Sequence, residues 1–253
     1  MEETAIQPQT VAPTSFMTRA VNVFTAPGEL FSEISVAPPR TSSWLIPYIL
    51  MLVMAVLATY AILSNPALRQ QIFDIQERAM KEKVASGQLT QQQFDQISSS
   101  MESSGPVLFL IFGAGGQILL VSATLFGLPL LLMLITRLGL KTPVGYGKLL
   151  ESFGLTTLIG LLGTIITILL MNLLNTIYAT PGPVLAFLGS YDPLKTGDRL
   201  IGSVNIFTLW ETGVLGIAVS RLTGKSAGTG LGLMYLLWAL WVVLVALTGF
   251  GMK

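Results

Sequence analysis

Five long apolar runs, nearly free of charge, restrict this chain to one kind of fold. Residues 44–63 supply the first, 106–136 the second, 152–178 the third, 200–220 the fourth and 229–250 the fifth. A helix needs about 20 apolar residues to cross a hydrocarbon layer roughly 30 Å thick, and each run is long enough. Lipid offers no partner to a free backbone amide, so each run is read as a helix. Pro129 interrupts the second run and is expected to kink or end that helix before Arg137. The third stops before Pro181-Gly182-Pro183, and residues 184–188 beyond it are too short to cross and are placed at the interface.

The expected fold is an all-α integral membrane protein with five transmembrane helices, an N-terminal interfacial amphipathic segment, and an extramembrane helical hairpin between spans one and two. Residues 1–43 form the tail, 64–105 the hairpin, and 44–253 the membrane domain. Composition agrees: of 253 residues, 52% are hydrophobic and 11% charged, against about a quarter charged in a soluble domain. The acidic start Met1-Glu2-Glu3 is unlike a secretory leader, so no cleaved signal is expected.

Cysteine and histidine are both absent, which removes the commonest metal ligands, thiol nucleophiles, disulfides and imidazole acid–base chemistry. No catalytic residue, cofactor or metal site is assigned, and the chain is read as a non-enzyme. A net charge of +1 gives no reason to expect nucleic acid as a partner. Five spans put the termini on opposite sides. The Lys and Arg residues divide equally between the two sides, but an N-inside orientation gathers Arg137, Lys141 and Lys148 in one short loop and Arg221 and Lys225 in another. That density favours a cytoplasmic N-terminus, in the inner membrane if the host is bacterial.

The hairpin carries its own start and stop signals. Asn65 caps and Pro66 opens a first helix with Leu68, Ile72, Ile75 and Ala79 on one face. Ser86-Gly87 breaks it, and Thr90 with Gln93 has capping-box spacing before Phe94, Ile97 and Met101.

Glu211 is the anomaly among the spans. A carboxylate at the centre of a membrane helix costs roughly 2.5–3.5 kcal/mol even on lenient insertion scales, so it is expected to face the bundle interior. Gln117 and Thr167 lie at a similar depth, about 16 Å from the outer ends of their helices, and with Glu211 form a candidate intramembrane polar cluster. Interhelical polar glue is the bland reading of that cluster, and an ion or proton pathway the sharper one. Gly113, Gly115, Gly116, Gly160, Gly163, Gly213 and Gly216 are read as close-packing positions. "TGKSAGTG" at 223–230 superficially resembles a phosphate-binding loop but lacks its spacing and is read as a turn.

The tail has apolar residues where a solvated segment needs none. In "VNVFTAPGELFSEI", 21–34, Phe24 extends a stripe begun by Phe16 and Ala20. After Pro27 restarts the helix, Leu30, Phe31 and Ile34 form a second stripe. Phe24, Pro27, Leu30, Phe31 and Ile34 are candidate interfacial or docking residues, with Arg19 and Arg40 facing anionic headgroups.

Three stretches, "VFTAPGELFSEI" followed by "PPRTSSWLIPYIL", "YGKLLESFGLTTLIGLLG" and "TLWETGVLGIAVSRLTGKS", resemble the Yip domain family of Ypt/Rab-interacting five-span membrane proteins, in its bacterial branch. The resemblance implies a cytosolic N-terminal segment, five helices, no catalytic activity, and work in trafficking or membrane shaping. The family's Asp-Leu-Tyr-Gly-Pro element is absent, and the 64–105 hairpin is an insertion. The expected function is that of a multi-pass scaffold, adaptor or membrane-organising factor. Its expected partners are the lipid bilayer, a protein bound through the tail or hairpin, and a second copy of the chain. The alternative is a small transporter or channel using Glu211.

Overall fold

The computed structural model describes residues 14–248 except residue 194, and for 100–109 the backbone alone. Met1-Glu2-Glu3, the Met101 side chain and the Phe250 end of the fifth apolar run lie outside the described residues. Those described form helices and connections, with no strand among them. In order they are α1 Phe16–Thr25, α2 Pro27–Val36, α3 Ser42–Ser64, α4 Pro66–Ala85, α5 Gln91–Leu138, α6 Tyr146–Leu174, α7 Thr196–Gly202, α8 Ile206–Thr223 and α9 Ala227–Thr248. A 3₁₀ turn, Pro183–Ala186, precedes α7.

Four segments are long and apolar enough to cross a membrane: α3, Leu110–Leu138 of α5, α6 and α9. The expected fourth span is a bent pair, α7 and α8, which meet at 65° and make a fifth crossing if counted together. Its break has a local cause. Asn205 caps α8, its side chain accepting from the Phe207 N–H at 2.9 Å, while the Ile206 N–H donates to the Pro181 carbonyl at 2.9 Å. A side-chain cap ends helical continuity, because the capping residue leaves helical geometry to bond the first turn.

The second apolar run forms a single helix, and that helix is continuous with the second arm of the hairpin, an arm expected to be separate. Neither Pro106 nor Pro129 ends a helix, and α5 continues for 48 residues, about 72 Å at 1.5 Å per residue. The Thr90–Gln93 capping box starts it, with both reciprocal bonds in place. The part of α5 before Pro106 therefore continues beyond the apolar run as one arm of the hairpin, with α4 as the other. At the hairpin's root, the Asn65 amide donates to the side chains of Asn172 at 3.3 Å and Asn175 at 3.1 Å, and Gln71 bonds the Asn175 carbonyl.

Close approach fixes the helix contacts. A Cβ at Gly154 would lie 2.5 Å from the Trp44 Cα on α3, and one at Gly230 only 2.2 Å from the Gly216 carbonyl oxygen on α8. Such contacts let dispersion hold helices together in lipid, where the hydrophobic effect between them is lost. Gly163 against Phe207 follows the same rule, while a Cβ at Gly115 or Gly116 on α5 would meet nothing within 4 Å.

The near end of the bundle holds the starts of α3, α6 and α9 and the ends of α5 and α8. Here α1 and α2 are seated. Val23, Leu30, Phe31 and Ile34 are buried in one cluster with Leu149, Leu150, Phe153, Leu215, Ala218 and Val219. Leu30, Phe31 and Ile34 thus face the chain's own helices, which corrects the expectation that they lie on lipid or await a partner. Their stripe has the amphipathic spacing expected, but the surface it covers is α6 and α8.

Candidate functional site

Glu211 projects from the second turn of α8 toward α6, where Gly160 leaves room for it. A Cβ at Gly160 would come 2.8 Å from the Glu211 Oε2. The carboxylate makes no hydrogen bond or ion pair with any described residue, and its side chain is half-buried. It lines a cavity of about 230 Å³ between α3, α5, α6 and α8, together with Tyr48, Thr124, Phe153 and Thr157. Two of the hydroxyls there have partners elsewhere: Tyr48 pairs with Ser122 at 2.7 Å, and Thr157 donates to the Gly154 carbonyl at 2.7 Å.

A second cavity, about 280 Å³, lies toward the far end and shares Gly160 as a wall. Gln117 and Thr167 line it, with Thr59, Thr164, Asn205 and Thr208. The three residues expected to cluster at one depth therefore divide between two adjoining cavities. Glu211 packs at the level of Gly160, and Thr167 lies seven positions further along α6, about 10 Å. The depth count went astray because α8 starts deep: Phe207 packs at Gly163, and α6 continues about 16 Å beyond that point. Thr167 donates back to the Gly163 carbonyl at 2.8 Å, and Gln117 is exposed on α5, so neither holds the carboxylate.

The strongest polar network lies at the near end. Arg19 on α1 is 1% exposed and bonds Glu151 on α6, Glu33 on α2 at 2.6 Å and Ser43 at 3.2 Å. Thr14 donates to Glu33 at 2.7 Å, and the Arg40 backbone N–H donates to the Glu151 Oε2 at 3.2 Å. Burial raises the Glu33 pKa, but the Thr14 and Arg19 hydrogen bonds and the charges of Arg19 and Arg40 outweigh it and hold the carboxyl below its ordinary value. Arg19, expected at lipid headgroups, is instead the centre of an internal latch joining α1, α2 and α6.

Phe24 makes an edge-on contact with Trp210 at 5.7 Å, and Pro27 opens α2 as its first residue. Met17 and Val21, on the other side of α1, are 69% and 50% exposed, so the apolar side chains that the tail leaves uncovered are a different set from the one read in its sequence. Glu151 and Ser43 were not singled out by sequence. Their signal was weak: two carboxylates, Glu33 and Glu151, stand near the same membrane boundary as Arg19 and Arg40, with nothing to say which pair.

Among the described residues no group of three or more carboxylate side chains is placed to hold a metal ion. No protein-family description, curated protein or solved structure matches this chain.

Proposed function

We propose that this chain is a non-enzymatic multi-pass membrane scaffold that presents the α4–α5 hairpin to a protein partner. The observation that carries the reading is the unbroken α5, whose apolar run begins at Pro106 while its first turns run on outside that run beside α4. A helix shared between a membrane span and a projecting arm transmits position rigidly. The arm's surface is polar and charged, including the exposed Glu77–Lys81 pair at 2.6 Å. The resemblance to the Yip domain family supports the same class of work, and on an N-inside orientation in a bacterial inner membrane the arm stands on the outer side. Photocrosslinkers at the exposed Glu82 and Gln92, with a control at lipid-facing Leu169, test this in native membranes. A discrete protein adduct at the arm positions alone is expected; arm adducts no different from the Leu169 pattern contradict the proposal.

The unpartnered Glu211 favours a second reading, transport of a proton or small cation through the two cavities. Flux in proteoliposomes by the parent and Glu211→Gln decides it. Flux lost in the variant supports transport, and equal flux, or none in either, sinks it.

A further inference from the structure

The turn "TGKSAGTG" has a role that neither reading above uses. It closes one side of a cleft of about 510 Å³ at the near end, between the first turn of α2, the last turn of α8 and the start of α9. Two cations line the cleft, Arg221 from α8 and Lys225 from the turn. Neither makes an ion pair or a side-chain hydrogen bond with any described residue, and no carboxylate lines the cleft.

Small residues keep the floor open. A Cβ at Gly28 would come 3.4 Å from the Arg221 Nη2, so the guanidinium lies over the first turn of α2. Gly224, at φ +67, turns the chain so that Lys225 and Ala227 follow on the cleft's rim. The hydroxyls of Ser32 and Ser220 give their protons to the carbonyls of Gly28 and Ile217, which leaves the cations and main-chain N–H groups as the donors. At the start of α2 one such N–H is left, that of Gly28, since Pro27 has none and those of Glu29 and Leu30 donate to the Ala26 carbonyl at 3.1 Å. The cation pair and the cleft carry the inference, and the Gly28 N–H adds one donor to it.

Two unpaired cations in a concave site without a carboxylate suit a compact polyanion. Guanidinium binds phosphate through paired hydrogen bonds, and an ammonium adds a point charge. We propose that this cleft is a phosphate-binding site for the headgroup of an anionic lipid or for a soluble phosphate compound.

Full-length protein is purified in detergent and probed by native mass spectrometry with phosphatidic acid, phosphatidylcholine and inorganic phosphate as separate probes. The parent is expected to retain phosphatidic acid at least tenfold better than phosphatidylcholine. Arg221→Gln with Lys225→Gln abolishes that preference, whereas Arg137→Gln with Lys141→Gln, in the neighbouring basic loop, leaves it. Displacement of the lipid by millimolar inorganic phosphate identifies a soluble phosphate as the natural source, and resistance identifies the lipid. Both cations are exposed, so the melting temperature of the double variant checks that folding is intact. A second variant, Ala227→Trp, fills the cleft while keeping both charges and is expected to lose the lipid as well. Retention by the cation double variant, an equal loss in the neighbouring-loop control, or retention by Ala227→Trp overturns the site.

Discussion

The two halves of α6 differ in composition and in surroundings: Lys148, Glu151 and Ser152 stand in the first, and 160–174 carries no charge. From 149 to 159 every residue is buried, ringed by α1, α2, α3 and α8, and the buried Arg19 ties that region together. Beyond it, Leu169 and Leu173 are 62% and 75% exposed and the Gln117 cavity opens between the helices, while the Glu211 cavity lies at the junction of the two halves, with Phe153, Thr157 and Gly160 in its wall. The first half is the more polar in sequence and yet the more buried, so the difference comes from what else the chain brings to each end. At the near end it brings two extra helices and a four-charge network. At the far end α8 stops short, and a bent α7 and a loop take its place.

The comparison can be broken most forcefully at Arg19. Arg19→Ala leaves Glu151 buried without its cation and Glu33 without its closest one. Breaking one side of a buried pair costs about 3–5 kcal/mol, so a large fall in melting temperature in detergent is expected. Adding Glu151→Gln to that variant recovers part of the loss, since the orphaned charge is gone. An Arg19→Ala protein that melts like the parent would mean the latch carries no weight.

Glycine substitutions sharpen the contrast at the next level. Gly154→Leu drives a side chain into the α3 backbone at Trp44 and is expected to cost at least the 1–3 kcal/mol typical of overpacking. Gly116→Leu meets open space and is expected to leave stability nearly unchanged. Comparable losses at the two positions would erase the claimed difference between tight and open packing.

Acid provides a smaller test of the near end alone. The Glu33 pKa is held down in the folded state, so its stabilising contribution is full above the unfolded value of about 4.3 and is lost as pH falls through the lower folded value. Melting curves from pH 6 down to pH 3 are expected to fall below about pH 4.3 for the parent and to fall less for Glu33→Gln. Parallel curves would assign the acid sensitivity elsewhere. The smallest effect is expected at Glu211→Gln: the carboxylate has no protein partner to lose, so melting stays within about 0.5 kcal/mol of the parent or rises.

The sequence made legible what the solvent dictates. Apolar runs 44–63 and 229–250 became α3 and α9 within a few residues at the described ends, and 152–178 falls mostly in α6, which starts at Tyr146 and takes in Lys148, because lipid leaves a long apolar segment little choice but helix. Local capping was equally legible, at Asn65-Pro66 and at Thr90–Gln93. What covers an amphipathic stripe was not. Leu30, Phe31 and Ile34 carry the spacing of a surface-seeking helix, and spacing is the same whether lipid, a partner or the chain's own bundle lies beneath. Arg19 and Glu151 are separated by 132 residues, and nothing local in either names the other. The depth of Glu211 failed for a related reason, since the α7–α8 break depends on Pro181 meeting Ile206 across a loop.

Hydrogen exchange followed by mass spectrometry, on the full-length protein in lipid nanodiscs, tests the near-end assembly most directly. Amides of α1 and α2 are predicted to exchange as slowly as those of 149–159 in α6, while those of α4 and the turn at 86–90 exchange orders of magnitude faster. Exchange in α1 and α2 as fast as in the hairpin would show that the tail is not part of the bundle, and would contradict the account.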